Sequence, residues 1–384
     1  MFKAAVIGLG PAGASALKRL NELGIKAIAI ERKKAPETPT VCGEFLPDPD
    51  VISFISRKPS VKKAFEYIGL ASRLNTFNEI YLELEGVKTF RMNISGFTIS
   101  RKQLVEKLID GSEYVLDDDV VSIKRLSNSY IIKTRRGLSI EAEYIIGADG
   151  YPSSVRRLSG CYAQVSDEDV AVGINAKIET PEMKRNMIYM YASLSTPGGY
   201  AWIIPHYNFI SNVGIGIRYN FIRQKGYNII QLFQEFIKRN ANGYLDNYKI
   251  IEPPRARWIP VSGFYGSPVC DKILFAGDSL GATNPINGGG IFTSMSLGIL
   301  AAEAVWLENP KIYSERSWNE VGSILLIGRA YRKLVDFFFE HWKISHILRI
   351  VNDSLAARVI KGERTILYDI LSLGIRTQTS GQPR

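Results

Sequence analysis

The sequence predicts an α/β (α+β) fold with three parts: a domain on a parallel sheet, a sheet-rich second domain and C-terminal helices. Three observations carry this prediction. The first thirty residues show the pattern strand, glycine turn, helix, strand, and short strand-like stretches dominate residues 165–267. Amphipathic helical sequence fills the chain from residue 311 onward. The 384 residues, 46% of them hydrophobic, suffice for two or three domains with a large core.

The N-terminal segment carries the signature of a dinucleotide site. An apolar run at residues 3–7, typical of a buried parallel strand, is followed by a GxGxxG pattern formed by Gly8, Gly10 and Gly13. The first glycine allows a tight turn, the second lets the backbone approach a pyrophosphate, and the third lets the helix pack close to the strand. Pro11 and Ala12 lie inside this turn, so we expect all five residues at the cofactor.

The helix and strand that follow complete this unit. The helix predicted over residues 14–23 directs its free N–H groups and positive dipole end toward phosphates. The strand at residues 25–30 ends at Glu31, eighteen residues after Gly13, where a carboxylate accepts hydrogen bonds from ribose hydroxyls. We also count the adjacent Arg32 among the cofactor contacts.

Two later segments supply the contacts that a longer cofactor needs. "AEYIIGADGYPSSVRR" (142–157) places Asp149 and Gly150 after an apolar strand, and "CDKILFAGDSLGATNPINGGGI" (270–291) places Gly277 and Asp278 after another. This pairing resembles the DG and GD motifs of the para-hydroxybenzoate hydroxylase superfamily of flavoproteins. The resemblance implies a Rossmann-like domain that holds FAD non-covalently, with Asp278 on the ribityl chain.

The same resemblance implies further contacts. Asp149 and Arg156 fall where the FAD phosphates and a pyridine nucleotide approach, and Arg101 in "TISRKQLVEKL" matches a helix-start arginine that contacts FAD. A surface arginine at a helix start is the alternative for Arg101. No His or Cys stands in an evident position for a covalent flavin link.

Three consecutive glycines precede a predicted helix at about residues 290–306. Gly288, Gly289 and Gly290 are expected to present N–H groups beside the flavin pyrimidine ring, where the helix dipole stabilises the negative charge of the reduced ring. Pro285 and Ile291 flank the glycines and are expected to contact the cofactor. A flexible loop would suit the glycines but neither the proline nor the helix.

Two more segments resemble the geranylgeranyl reductase family. "TVCGEFLP" (40–47) is similar to its Cys-Gly-Glu segment and "PGGYAWIIPH" (197–206) to its YxWxFP signature, although Ile204 replaces the usual Phe and His206 stands where Lys often follows. The resemblance covers roughly residues 1–305. It implies FAD-dependent saturation of isolated prenyl double bonds by hydride transfer, with a polyprenyl lipid or a small apolar compound as substrate.

Four residues are candidates for the chemistry. Tyr200 and Trp202 alternate on a strand and project to one face, a wall for an apolar slot that holds the alkene against the flavin. Cys42, with Gly43, is expected near the flavin, and His206 is a candidate proton relay. The alternatives are two core aromatics, an inert buried thiol and a histidine satisfied by its surroundings.

Other flavin chemistries remain open. Halogenases share an aromatic-x-Trp-x-Ile-Pro signature but need a lysine after the second strand, for which Lys58, Lys62 and Lys63 are candidates outside any recognisable motif. Flavin monooxygenases share the glycine, DG and GD motifs, and a FAD-bearing electron-transfer protein is the third class. No second GxGxxG unit is seen, so the reductant is left open between NAD(P)H, ferredoxin and another carrier protein.

The bulk charge bears on partners. The net charge of +10 and the pI near 9.3 favour acidic partners. The basic residues are scattered, which argues against nucleic acid; Arg255 and Arg257 are interpreted as surface charges, with a substrate diphosphate as the alternative contact. "RAYRKLVDFFFEHWKISHILRIV" (329–351) mixes aromatic and basic residues. We hypothesise that this region closes a lipid pocket or rests on an anionic membrane, against ordinary packing.

The cysteines and apolar runs bear on the compartment. Cys42, Cys161 and Cys270 lie far apart without a CxxC pair, so we expect neither a disulfide nor a metal site. This usage suits a cytoplasmic protein, peripheral to a membrane if the hypothesis above holds. No uninterrupted apolar stretch reaches 18 residues, so no membrane-spanning helix is expected.

These assignments define the predicted domains. We predict a discontinuous FAD-binding domain over residues 1–75, 97–164 and 268–305. The predicted substrate domain covers residues 76–96 and 165–267. A C-terminal helical region is predicted over residues 306–384.

Overall fold

The computed structural model of the chain describes residues 1–37, 40–180, 183–239, 243–245 and 248–379. Its helices are α1 (Pro11–Glu22), α2 (Ser53–Ser56), α3 (Pro59–Ile68), α4 (Arg101–Ile109), α5 (Ser154–Ser159), α6 (Tyr219–Lys225), α7 (Ile229–Lys238), α8 (Ile291–Trp306), α9 (Pro310–Ser317), α10 (Ser323–Glu340), α11 (Asp353–Lys361) and α12 (Ile366–Thr379). Short 3-10 segments cover Pro49–Ile52, Asp167–Asp169, Gly277–Ser279 and Trp342–Ile350, and a π-helical turn covers Trp318–Gly322.

The strands are short and numerous. In chain order they are β1 (Phe2–Ile7), β2 (Ala27–Ile30), β3 (Phe45–Pro47), β4 (Arg73–Phe77), β5 (Glu79–Leu84), β6 (Lys88–Met92), β7 (Gly96–Ile99), β8 (Tyr114–Val115), β9 (Val120–Arg125), β10 (Tyr130–Thr134), β11 (Ser139–Gly147), β12 (Val170–Glu179), β13 (Met187–Ala192), β14 (Tyr200–Pro205), β15 (Ile210–Arg218), β16 (Lys249–Pro260), β17 (Val269–Cys270) and β18 (Ile273–Phe275).

The first sheet has a parallel centre. Strands β18, β11, β1, β2 and β8 run parallel in that order, while β17 pairs antiparallel at one edge and β10 and β9 extend from β11. Residues 4–6 of β1 are fully buried between these neighbours, which explains the uninterrupted apolar run. Because parallel strands end at one edge, Gly8, Glu31, Ala148 and Gly277 are brought together there.

The second sheet joins two distant stretches of the chain. Its order is β16-β12-β15-β14-β13-β5-β6, antiparallel throughout except for the parallel pair β5–β13. A third, three-stranded sheet has the order β3-β7-β4. The fold class predicted from the sequence is confirmed, and the domain boundaries stay a prediction.

Helix α8 is the buried axis of the first domain. All of its residues except Glu303 and Trp306 are buried, as expected for a helix that is apolar on every side. The backbones of α8 and α1 are in close contact at Gly298, where a Cβ would lie 2.1 Å from the Ala12 carbonyl oxygen. The Ser15 hydroxyl also donates to the Met295 carbonyl at 3.0 Å. The two helices therefore form one closely packed unit.

The C-terminal helices are held to the second sheet by buried ion pairs. On α10, Arg332 is 2% exposed and its Nη2 lies 2.6 Å from Asp169 Oδ1, next to β12. Arg218, at the end of β15, reaches Asp336 Oδ1 at 3.0 Å. Buried charges are tolerated only when paired, so these pairs fix α10 over the sheet. No helix in the described residues is both long and apolar enough to cross a membrane.

A disulfide joins Cys161 to Cys270, and the expectation of no disulfide is therefore wrong. Cys161 follows α5, which begins after the β11 loop, and Cys270 ends β17 at the edge of the same sheet. The two residues are 109 positions apart in the sequence, with Cα atoms 6.2 Å apart. Spacing in the sequence does not predict such a pair, because the two cysteines become neighbours only when the sheet forms. Cys42 is the free cysteine of the described residues.

Reduction of this disulfide is expected to lower the free energy of unfolding by about 4 kcal/mol, because the bond closes a long loop in the unfolded chain. The measurement is urea unfolding with and without reductant. The matched control is the double variant Cys161→Ala/Cys270→Ala, which should start at the lower stability and not respond to reductant. Equal stability of oxidised and reduced wild-type protein would contradict the expectation.

Candidate active site

The glycine turn after β1 is built as its spacing predicts. Gly8 has φ +95°, and a Cβ there would lie 2.5 Å from the Ala148 carbonyl oxygen. A Cβ at Gly13 would lie 1.8 Å from the Gly8 carbonyl oxygen, so no side chain fits between strand and helix. A Cβ at Gly10 would meet only Glu37 Oε1, at 3.4 Å. Gly10 thus leaves a space that a ligand phosphate fits, and it lines the main cavity with Pro11 and Ala12.

Glu31 closes this turn from the end of β2. Its carboxylate is buried and accepts hydrogen bonds from the backbone N–H of Leu9 at 2.7 Å and of Lys33 at 2.9 Å. Each oxygen retains a second lone pair for a ribose hydroxyl. Arg32 is exposed and is not among the residues that line the cavity. The contact expected of Arg32 stays a prediction.

Three cations converge beside the glycine turn. Arg101 is 8% exposed, its Nη2 lies 2.6 Å from Glu37 Oε2, and its Nε has no hydrogen-bond partner among the described residues. Burial lowers the pKa of Lys33, and the charges of Arg257 and Arg101 lower it further. A cationic cluster with one buried N–H that lacks a partner suits an anionic group such as the pyrophosphate of a dinucleotide.

Asp278 lies beside Arg257, one of these three cations. Its Oδ1 accepts a hydrogen bond from the Thr283 hydroxyl at 3.1 Å, and its Oδ2 lies 3.8 Å from Arg257 Nη2. Arg257, on β16, was interpreted from the sequence as a surface charge. It lines the cavity instead, because β16 pairs with β12 above the ends of the first sheet. No sequence motif around Arg257 predicts that this residue lines the cavity.

Asp149 and Arg156 have protein partners. The Asp149 carboxylate accepts from the Ser153 hydroxyl at 2.8 Å and the Val155 N–H at 3.0 Å, and so caps α5; burial raises its pKa. The Arg156 guanidinium donates to the backbone carbonyls of four residues: Cys161, Tyr265, Ser267 and Ser279. Arg156 therefore braces the loops behind Asp278, while Gly150 lines the cavity.

The glycines before α8 form a bonded loop. The Gly288 N–H donates to the Asn284 carbonyl at 2.9 Å and the Gly289 N–H to Asn287 Oδ1 at 2.7 Å. The sequence led us to expect all three glycines to offer free N–H groups. Two of the three N–H groups are therefore engaged within the loop. The first turn of α8, which begins at Ile291 after Gly290, adds N–H groups that have no intrahelical partners. All three glycines, Pro285 and Ile291 line the cavity.

One continuous cavity of about 720 Å³ extends from the glycine turn to the C-terminal helices. Its far part is apolar, with walls that include Ile80, Leu82, Phe90, Met190, Phe339 and Trp342. Tyr200 and Trp202 line it from β14 with ring centroids 5.9 Å apart. Both aromatic side chains therefore face the junction between the polar and apolar parts.

Asn212, which sequence reasoning missed, fixes this junction. It is 1% exposed on β15; its Oδ1 accepts from Trp202 Nε1 at 2.8 Å and its Nδ2 donates to the Cys42 carbonyl at 2.9 Å. The Tyr200 hydroxyl donates to the Asn287 carbonyl, and burial raises the pKa of Tyr200. Alternation along β15 was the only sequence signal for an inward-facing polar residue here.

His206 lies behind the Cys42–Glu44 segment. It is 2% exposed, its Nε2 lies 3.2 Å from the Gly43 carbonyl oxygen, and its Nδ1 lies 3.8 Å from Glu44 Oε2. It is not among the residues that line the cavity, whereas Cys42 and Gly43 are. This position suits a residue that holds the segment in place, and the proton-relay role stays a prediction.

Acid is expected to destabilise the protein through His206, because burial lowers its pKa to about 4 from an ordinary 6.5. The unfolded chain then binds the extra proton between pH 6.5 and 4, so stability falls as pH falls through that window, by about 2 kcal/mol at pH 4.5. Urea unfolding at pH 7 and 4.5 measures this loss. His206→Asn should reduce it, while His346→Asn at an exposed site should not. Equal losses in both variants would contradict the assignment. Glu44, whose pKa burial raises, acts in the opposite direction.

The chain is similar in sequence to known geranylgeranyl reductases and in fold to a geranylgeranyl reductase-like structure. Residues 169–255 match the family described as geranylgeranyl reductase catalytic domain. Digeranylgeranylglycerophospholipid reductase 3 of Methanosphaera stadtmanae is 26% identical over 348 residues, covering 86% of this chain and 84% of the relative. A geranylgeranyl bacteriochlorophyll reductase-like structure from Thermoplasma acidophilum has a TM-score of 0.79 at 18% identity, covering 98% of each chain.

A flavin-dependent brominase has a TM-score of 0.73 at 16% identity, covering 99% of this chain and 100% of its own. Likeness at this identity shows the fold alone. The predicted resemblance to the geranylgeranyl reductases is confirmed by the family and relative matches.

Proposed function

We propose, with the resemblance to geranylgeranyl reductases as the premise, that this chain is a FAD-dependent oxidoreductase that saturates isolated prenyl double bonds of a lipid. One observation carries the proposal: a single cavity joins a dinucleotide cradle to a long apolar channel. The similarity to digeranylgeranylglycerophospholipid reductase 3 of Methanosphaera stadtmanae supports a phospholipid with geranylgeranyl chains as the substrate class.

The cofactor is proposed to bind along the polar half of the cavity. The turn Gly8–Gly13 and the cations Arg101 and Arg257 would hold the pyrophosphate, Glu31 the adenosine ribose and Asp278 the ribityl chain. The first turn of α8 would face the pyrimidine ring, where its N–H groups stabilise negative charge. No covalent link is proposed. The candidate electron sources are NAD(P)H, ferredoxin and another carrier protein.

The apolar half is proposed to position the alkene and exclude water. Bound FAD, once reduced, supplies a hydride to one carbon of the double bond. An unactivated alkene has no carbonyl to polarise, so the chain's contribution is orientation and desolvation. Tyr200 and Trp202 would hold the alkene, because both line the junction and Asn212 fixes the Trp202 indole.

A proton must reach the neighbouring carbon, and Cys42 is the proposed source. Its thiol belongs to the cavity lining, interacts with the Arg101 guanidinium, and accepts from the Glu44 N–H at 3.3 Å. Tyr200 is the other proton-bearing group at the junction, but its hydroxyl proton is engaged by the Asn287 carbonyl. Cys42→Ser should retain FAD and lose turnover, whereas a Tyr200→Phe variant should lose less.

Anaerobic reoxidation tests the function. The FAD-bound protein is bleached with dithionite, a geranylgeranyl compound is added without oxygen, and the return of yellow colour is followed with product analysis by mass spectrometry. Return of colour together with product two mass units heavier supports the reductase. Return only with oxygen supports a monooxygenase or halogenase, and return only with an oxidised carrier protein supports electron transfer.

The halogenase alternative needs a lysine in the cavity. Lys58 and Lys62 are exposed, and Lys63 lies 3.6 Å from Glu22 and 3.4 Å from Glu66. None of the three is among the residues that line the cavity. This arrangement favours the reductase. A lipid substrate also implies contact with a membrane, which we propose as peripheral.

A further inference from the structure

A buried carboxyl group, that of Glu44, lies at the cavity wall two residues after Cys42. Glu44 is 2% exposed and lines the cavity, and its Oε1 accepts the Arg101 backbone N–H at 2.8 Å. Its Oε2 has no hydrogen-bond partner among the described residues. Two nitrogens lie near that oxygen, Lys177 Nζ and His206 Nδ1, each at 3.8 Å. A buried acid in such a place is typical of a group that holds or transfers a proton.

The tautomer of His206 indicates where a proton lies. Burial lowers the pKa of His206 to about 4, so its ring is neutral at pH 7. Nε2 lies 3.2 Å from the Gly43 carbonyl oxygen, which can only accept, so Nε2 carries the ring hydrogen. Nδ1 is then a buried acceptor opposite Glu44 Oε2, and an ionised Glu44 would leave both atoms without a donor. A proton on Glu44 Oε2 supplies that donor once the two atoms approach to hydrogen-bond distance.

The charges around Glu44 act in opposite directions. Burial raises the pKa of Glu44 and the Glu37 carboxylate raises it further, whereas Lys177 and Arg101 lower it; the net shift is upward. Lys177 Nζ lies closer to Glu252 Oε1, at 3.2 Å, than to Glu44, and the Lys177 side chain is 18% exposed. Its ammonium group therefore connects the buried carboxyl group to water.

Cys42 and Glu44 are linked through their backbone and through Arg101. The Glu44 backbone N–H donates to Cys42 Sγ at 3.3 Å. The Arg101 guanidinium interacts with the Cys42 thiol, while its backbone N–H binds the Glu44 carboxyl group. Both side chains line the same cavity, which allows a proton to pass between them directly or through a water molecule.

We propose that Glu44 returns a proton to Cys42 after each turnover. The proposal rests on the proposed function, in which the Cys42 S–H bond breaks, its proton joins the alkene carbon next to the one that accepts the hydride, and a thiolate remains beside Arg101. The Glu44 O–H bond then breaks and the S–H bond forms again. Lys177 passes a proton to the Glu44 carboxylate and takes one from water, which completes the cycle.

Glu44→Gln tests the proposal, because its amide keeps an acceptor for the Arg101 N–H and a donor for His206 Nδ1 but has no proton to give. The variant should therefore retain FAD and the wild-type thermal midpoint. When its flavin is reduced with dithionite and mixed anaerobically with a geranylgeranyl compound, the first reoxidation should match that of wild type, since Cys42 starts with its proton. Steady-state turnover with excess dithionite should fall by about a hundredfold. A merely structural role would slow both rates.

Two further measurements need no turnover. The infrared difference spectrum between wild type and Glu44→Gln at pH 7 should contain the carbonyl stretch of a protonated carboxyl group. Alkylation of Cys42 by iodoacetamide should extend to lower pH in Glu44→Gln, because no carboxylate then opposes the thiolate. The matched control is Glu66→Gln, at a surface carboxyl group that is 53% exposed and also paired with a lysine. It should leave the infrared band and the alkylation profile unchanged.

Absence of the infrared band, or an alkylation profile that Glu44→Gln does not shift, overturns the proposal. Equal steady-state rates of Glu44→Gln and wild type, or equal slowing of first and later turnovers, also overturn it. Lys177→Met, which lies outside the cavity lining, should slow only the later turnovers and so checks the path independently. If wild type reduces no prenyl compound, the proposed function fails, while the infrared and alkylation results still decide whether Glu44 holds a proton coupled to Cys42.

Discussion

Gly13→Ala is expected to yield a protein that retains no FAD and is less stable than wild type by about 3 kcal/mol. The new Cβ would lie 1.8 Å from the Gly8 carbonyl oxygen and 3.2 Å from Val6 Cγ1. The Gly8 carbonyl is backbone and cannot move without displacing β1 or α1, and overpacking of a close-packed site costs about 1–3 kcal/mol or more. The measurements are flavin absorbance after gel filtration and urea unfolding of the apoprotein.

Gly10→Ala is the matched variant, and it separates the fold from the cofactor. Its Cβ would meet only Glu37 Oε1, at 3.4 Å, an ordinary contact, so apoprotein stability should stay within about 1 kcal/mol of wild type. The same methyl group occupies the space assigned to the pyrophosphate, so FAD retention should still be lost. A yellow Gly10→Ala protein with normal affinity would show that the cofactor does not lie against this turn.

Arg101→Leu is expected to lower the free energy of unfolding by about 3–5 kcal/mol and to abolish FAD retention. Arg101 and Glu37 form a buried pair at 2.6 Å. Burial lowers the pKa of Arg101, but Glu37, Cys42 and Glu44 together raise it more, and the net shift is upward. Removal of one partner leaves a buried carboxylate uncompensated. Urea unfolding and FAD titration followed by fluorescence quenching measure the two effects.

The double variant Glu37→Leu/Arg101→Leu distinguishes two roles for this arginine. Replacement of a whole buried ion pair by apolar residues is often neutral for stability, so the double variant should recover most of the lost stability. Its FAD affinity should remain low if the unpartnered Nε of Arg101 serves the cofactor. Recovery of FAD binding together with stability would assign Arg101 a structural role only.

The N-terminal unit was predictable because its constraints are local in sequence. A Gly8 in the left-handed region, a Gly13 without room for a side chain and an acid at the end of β2 each follow from a short motif. The GD motif likewise led to Asp278, because a parallel strand delivers its last residues to a known edge of the sheet.

Other features were not predictable because they depend on which strands become neighbours. Asn212 meets Cys42 only because β14 and β15 pair beneath the Cys42–Glu44 segment. Arg257 reaches Asp278 only because β16 crosses above the first sheet, and the disulfide joins residues that no spacing rule connects. In each case the signal is a single polar residue or cysteine without a surrounding motif.

The backbone contact between Gly298 and Ala12 has a consequence for ligand size. The start of α1 is held against α8 about two turns from the start of α8, so the two helix starts are separated by roughly 10 Å along its axis. Neither helix can slide along the other without breaking that contact, so the distance between the two helix starts is fixed. Riboflavin, which carries no phosphate, would satisfy the start of α8 and leave the start of α1 without an anion, so the protein should discriminate against it.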